Sequence, residues 1–133
     1  MNDTPKVRII RSDSHRPALP LVEGEGDARA IIWPGMGATL RSVHQIVLGG
    51  GSATIEQSHP GEAVYFLKAG SAHVDDLDTS SSHSLTVGSM IHIDGGTRYR
   101  FVAGASGAEF VGGPCPPDPA LYEHLQQETT TAG

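Results

Sequence analysis

Cysteine, aromatic side chains and positive charge are all scarce in this chain. The single cysteine, Cys115 in "GPCPPDP", excludes an internal disulfide, so nothing marks the chain for an oxidising compartment. With neither a base nor a helix start evident beside it, Cys115 reads as a loop thiol without a role. Aromatics make up only 5% of the residues, so a core has to be filled mainly by small and branched side chains. Nine Lys and Arg against fifteen Asp and Glu leave a formal net charge of -6, which offers no attractive field to a phosphate backbone or an anionic lipid surface. A small molecule or another protein is the expected partner, with nucleic acid and membrane excluded. No apolar run approaches the roughly 18 residues of a membrane span. The opening "MNDTPKVRIIRSDS" carries charges through what would be the apolar part of a signal peptide, and a soluble, cytoplasmic protein is expected.

What the chain has in quantity is punctuation. Its 133 residues, within the roughly 100–200 typical of one domain, include 17 Gly and 9 Pro, which favour many short elements over long helices. Segments of β type follow one another with turns between them: "KVRII", "RAIIW", "TLRSVHQIVL", "SATIEQS", "AVYFLKAG", "SAHV", "SLTVG", "MIHID", "RYRFVAG" and "AEFVGG". This spacing predicts an all-β sandwich or barrel spanning 1–133, with an N-terminal strand over 5–11 and a core over about 28–113. The acidic, Ser-rich "DDLDTSSSHS", 75–84, reads as an exposed loop. One helix is expected, over about 118–128: Asp118 caps it, Pro119 fits its first position, and Leu121 with Leu125 form an i, i+4 packing stripe.

Strand alternation assigns faces. In "TIEQSH" it puts Ile55, Gln57 and His59 on one face and Thr54, Glu56 and Ser58 on the other, an arrangement suited to a site at a barrel mouth. In "RYRFV" it turns Tyr99 and Phe101 inward and Arg98 and Arg100 outward. The uncharged "AVYFL" reads as a strand covered on both faces, between layers or at a subunit contact.

Two motif frames run across these strands. Gly51, five residues, Gln57-Ser58-His59 and later Gly70 fill the first; Gly88, five residues, Asp94-Gly95-Gly96, two residues and Tyr99 fill the second. In this the chain resembles the cupins, whose first motif runs glycine, five residues, His-x-His, three or four residues, glutamate, six residues, glycine, and whose second runs glycine, five residues, Pro-x-Gly, two residues, histidine. The resemblance implies a double-stranded β-helix, the jelly-roll cupin barrel, with a short C-terminal helix, and a homodimer. It also implies a divalent ion held by two histidines and a glutamate from the first motif and a histidine from the second. Of those ligands His59 matches, while Gln57 and Tyr99 replace histidines and Ala63 or Val64 stands where the glutamate belongs. "GEAVYFLKAG" is in addition similar to a stretch of ectoine synthase, a small cupin in which the glutamate before Ala-Val-Tyr is a metal ligand. That resemblance gives Glu62 the ligand role and implies metal-assisted dehydration or cyclisation.

Each candidate has two readings. Gln57, His59, Glu62 and Tyr99 form an oxygen and nitrogen site for Mn, Fe, Zn or Ni, with Tyr99, Glu62 or His59 moving the proton, or they are hydrogen-bonding, solvated or core residues. His44 and His92 are weaker pocket candidates, as are Trp33, read first as a packing anchor, and the inward Phe101; His83 reads as a surface loop residue. The two functional classes are accordingly a metal-dependent lyase, cyclase or isomerase and a metal-free small-molecule sensor or carrier. The metal reading requires Glu62 to face the cavity; it fails if Ala63 does so instead.

Overall fold

A computed structural model describes residues 6–125. Eight strands join in one sheet that curls into a nearly closed barrel: β1 (Val22–Glu23), β2 (Gly26–Ile32), β3 (Val43–Leu48), β4 (Ala53–Thr54), β5 (Glu62–Asp76), β6 (Ser81–Leu85), β7 (Met90–Ile93) and β8 (Tyr99–Cys115). The jelly roll expected from the strand spacing is the observed fold. Its backbone is the long antiparallel pairing of β5 with β8, from Glu62↔Cys115 to Asp76↔Tyr99. β3 and β4 extend the sheet from β8, whereas β6 and β7 pair with the two halves of β5.

Alternation within each half of β5, with a change of phase at the irregularity between Leu67 and Ala72, decides what the barrel holds. Ala63, Tyr65, Leu67, Ala72 and Val74 are buried, and inward residues of β3, β7 and β8 complete the core, among them Ile46, Ile91, Phe101 and Phe110. The few aromatics are concentrated there: Phe101 stacks on Phe110 at 4.3 Å between ring centroids and meets the edge of Tyr65 at 4.9 Å. At the kink of the β5–β8 pair Gly70 has φ of 85°, and a Cβ there would stand 2.0 Å from the Gly107 carbonyl oxygen. Only glycine lets the two backbones approach so closely.

Several expectations are corrected. Residues 6–11 form no strand, and the expected strand's first residue lies outside the described region. Val7 and Ile9 are exposed, and the edge of β2 is covered by Pro17–Leu19 instead, with Leu19 N–H donating to Ala28 and Ala30 N–H to Pro17. Residues 75–84 are largely the ends of β5 and the whole run into β6, a hairpin whose turn is tied by Asp76 Oδ1 accepting from the Asp78 and Thr79 amides. The C-terminal helix begins as a 3-10 turn, Pro119–Tyr122, capped by Asp118 as expected; of the predicted 118–128, residues 126–128 lie outside the described region. Among the described residues no helix is long and apolar enough to cross a membrane.

Candidate functional site

In "TIEQSH" alternation holds for Gln57 and His59 but fails at Thr54 and Ile55, because the chain leaves the sheet after Thr54. Ile55 hydrogen-bonds to Leu21 and is 38% exposed, whereas Thr54 is buried and its hydroxyl accepts the Phe101 amide at 3.0 Å. Three residues after Thr54 the chain rejoins: Gln57 and Tyr99 exchange both backbone hydrogen bonds, which sets their side chains next to each other on the inner face. Gln57, His59 and Tyr99 are all buried, at 4%, 4% and 1% exposure.

These side chains feed a continuous hydrogen-bonded chain. His59 Nδ1 lies 2.7 Å from Asp118 Oδ2, His59 Nε2 lies 2.8 Å from the Tyr99 hydroxyl, and that hydroxyl lies 2.9 Å from the Tyr65 hydroxyl. Donor and acceptor chemistry gives it a direction. An ionised carboxylate only accepts, so His59 donates Nδ1–H to Asp118; Nε2 of the neutral ring accepts from Tyr99, whose oxygen accepts from Tyr65. Burial, then the neighbouring Tyr65, pushes the Tyr99 phenol well above its usual range; burial likewise pushes Tyr65 up. Both hydroxyls therefore stay protonated. Asp118 uses its other oxygen to cap the 3-10 turn at the Ala120 amide, 3.1 Å away.

A second contact ties the same turn to the barrel. Tyr122 places its hydroxyl 2.7 Å from His44 Nε2, and Trp33 packs against Tyr122 at 5.2 Å. His44 is fully buried; burial, followed by the proximity of His59, lowers its pKa to about 4. Trp33 is a packing anchor, and Phe101 is a wall of the core whose ring edges meet Tyr65 and Tyr99. The 3-10 turn thus closes one side of the barrel with a polar contact from each end.

Glu62 is the main correction. It points out of the barrel with its side chain 60% exposed and lies 3.3 Å from His92, itself 53% exposed, while Ala63 faces the interior at 1%. The physical reason is strand parity: β5 begins at Glu62, so the one-residue offset from Ala63 reverses the side chain, and the Pro60-Gly61 turn does not undo it. His92 belongs to this outer face as well, 3.6 Å from Asp94, and from there it lines the cleft beside Tyr99 and not the barrel interior.

With Glu62 removed, the interior does not fit a divalent ion. Gln57, His59, Tyr99 and Tyr65 bring only neutral donors, both ring nitrogens of His59 are committed, and the one carboxylate, Asp118, sits behind His59 Nδ1. Among the described residues no three His, Cys, Asp or Glu side chains are grouped to hold a metal. Gln57 keeps both amide atoms buried without a protein partner.

Tyr99 also borders a cleft of about 370 Å³ between the β5–β6 hairpin and β7. Val74, Leu85, Ile91 and Ile93 give it an apolar surface, and Asp76 stands directly across the strand pair from Tyr99. His83, paired with Val74, also lines this cleft from β6 and is not on a loop.

Sequence reasoning named His59, Gln57 and Tyr99 but gave Asp118 only a capping role, and it missed Tyr65 as a polar partner. Alternation with Ala63 and Leu67 was the signal for Tyr65. No local signal joins Asp118 to His59, 59 residues away.

The sequence matches no family model and no curated protein. Solved structures do match. The chain is similar to a predicted oxalate decarboxylase from Thermotoga maritima at a TM-score of 0.68 and 18% identity, covering 82% of this chain and 99% of that one. It is similar to the polyketide cyclase RemF from Streptomyces resistomycificus at 0.70 and 21%, covering 86% and 82%. A cupin superfamily protein from Desulfitobacterium hafniense matches at 0.60 and 11%, covering 70% and 79%. The fold is the cupin fold.

Proposed function

We propose that this cupin-fold chain is a small-molecule enzyme of the isomerase, lyase or cyclase kind that moves protons through Tyr99 and His59. The observation that carries the reading is the buried chain from Asp118 through His59 to Tyr99, ending at a residue that borders a cleft. The fold's similarity to a polyketide cyclase and a predicted oxalate decarboxylase supports a small-molecule substrate.

The chemistry follows from the direction of the hydrogen bonds. A free Tyr99 phenolate is disfavoured by burial, so Tyr99 works as a relay. Its oxygen takes a proton from the substrate as its own proton passes to His59 Nε2, leaving an imidazolium against the Asp118 carboxylate. Reversal of the two transfers returns a proton to a different substrate atom, which is an isomerisation; return to a hydroxyl leaving group makes it a dehydration. Asp118 is the positioning residue, fixing the ring tautomer and stabilising the charged ring.

The test is a screen of isomerisation, dehydration and cyclisation substrates with the wild type and Tyr99→Phe. Loss of about 100-fold or more in turnover, with the fold retained, is expected for a proton-transfer group. Undiminished turnover in Tyr99→Phe would overturn the reading. Elemental analysis of protein prepared without a metal-affinity step should find no stoichiometric ion. Stoichiometric Mn, Fe, Zn or Ni that is lost in His59→Ala would favour the metal-dependent reading instead, with Gln57, His59 and Tyr99 as the ligands.

The metal-free binder without catalysis is the second reading, favoured by the near-complete burial of Tyr99. It predicts ligands that bind without turnover. The partner is proposed to be a second copy of the chain, supported by the apolar outer row of Met90, Phe66 and Val111 on adjacent strands, with Met90 66% and Phe66 38% exposed.

A further inference from the structure

The cleft beside Tyr99 has a charge pattern that the proton relay does not use. Its surface is apolar where Val74, Ile91 and Ile93 face it, and it carries the carboxylates of Asp75 and Asp76 at the end of β5 and of Asp94 just after β7, with the imidazoles of His83 and His92 beside them. Among the described residues lining it, none is lysine or arginine. The arginines nearest in sequence are taken up by other carboxylates, Arg98 on Asp78 at 2.8 Å and Arg100 on Asp75, a wall residue, at 3.3 Å, which leaves Asp76 and Asp94 without an arginine among the described residues. Asp76 accepts both turn amides through Oδ1, which leaves Oδ2 for a ligand. Its register partner across the strand pair is Tyr99, so a group held by Asp76 lies beside the end of the relay.

From this we infer that the cleft takes a small organic cation, a primary ammonium on a short apolar body. The ammonium sits between Asp76 and Asp94 and the body lies on Val74, Ile91 and Ile93 against Tyr99. An ammonium supplies three donors to the Asp76 oxygen left by the turn and to Asp94, whose side chain is 87% exposed beside His92, and a phenol ring beside it adds a cation–π attraction. The inference rests on the cleft being the entrance to the proposed proton-transfer site.

Titration of the isotopically labelled full chain, followed by NMR, with n-butylammonium, n-butanol and butanoate as probes tests it. n-Butylammonium is expected to shift the resonances of Val74, Ile91, Ile93 and Tyr99 and to bind about fivefold or more tighter than n-butanol, as a partly exposed ion pair provides. Butanoate is expected not to bind. The Asp76→Asn, Asp94→Asn double variant keeps the Oδ1 acceptor that ties the hairpin turn; it should bind n-butylammonium no better than n-butanol. Equal binding of n-butanol or butanoate, unchanged ammonium binding by the double variant, or no shifts in the cleft with any probe would overturn the inference. Probe binding requires no turnover, so the two proposals fail separately. Ammonium binding with undiminished turnover in Tyr99→Phe sinks only the relay, whereas a Tyr99-dependent activity on uncharged substrates alone sinks only the cation.

Discussion

At the scale of single residues the interior of the barrel is polar where a hydrophobic core would be less costly, and two histidines carry the consequences. His59 is held between a carboxylate and a phenol. Asp118→Ala removes the carboxylate and leaves His59 Nδ1–H buried without a partner, so a loss of about 2–4 kcal/mol in urea unfolding is expected. A loss within about 0.5 kcal/mol, the usual range of a surface change, would mean that the contact is not maintained in solution. His44 makes a pH prediction. Unfolded it titrates at 6.5 and folded at about 4, so below 6.5 the unfolded chain takes up a proton that the folded chain refuses. Its stabilising contribution is complete above pH 6.5 and is lost as the pH falls to about 4. The loss is about 3 kcal/mol, since each tenfold difference in proton affinity between the two states is worth about 1.4 kcal/mol. His44→Gln, which can still accept from Tyr122, should flatten the stability curve across that window; an identical slope in both proteins would place the acid sensitivity elsewhere.

At the scale of elements, the motif glycines do different jobs although the sequence frame treats them alike. Gly51 and Gly88 have φ of 74° and 95°, and a Cβ added to either would meet nothing within 4 Å, so alanine there meets only backbone strain, about 1–2 kcal/mol. Gly70→Ala adds a collision with the Gly107 carbonyl at 2.0 Å and should cost about 4 kcal/mol or more, or prevent folding. Urea unfolding of the three variants separates the two causes, and equal costs would show that the β5–β8 kink relaxes freely. Period-two alternation, reliable within each half of β5 and at Tyr99, Phe101, Gln57 and His59, changed phase between Leu67 and Ala72 and failed at Thr54 and Ile55. β4 is only two residues long there, and a chain that leaves a sheet and re-enters it loses its parity.

At the scale of the whole molecule, the outer face of the barrel leaves Phe66 and Met90 side by side with Val111 in the same row. The proposed homodimer would cover this row. Light scattering after size exclusion should give twice the chain mass for the wild type and the chain mass for Phe66→Glu; a monomeric wild type would leave the row as ordinary exposed apolar surface. The cation-accepting cleft lies at the edge of the same outer face, since Met90 and His92 border both.

The sequence alone determined the barrel, because period-two patterning, glycines at left-handed turns and the absence of long apolar or helical runs are local constraints that leave few architectures. It also determined that His59, Gln57 and Tyr99 belong together, since the motif frame fixes their spacing along paired strands. Only the tertiary structure decided what they do. Whether Glu62 or Ala63 faces inward depends on where β5 begins, and that is set by pairing with β7 and β8. Asp118 reaches His59, and Tyr122 reaches His44, because the C-terminal turn folds back over the barrel. Contacts between residues so distant in sequence are selected by packing and by the need to partner buried polar groups, and no stretch of sequence read by itself contains that information.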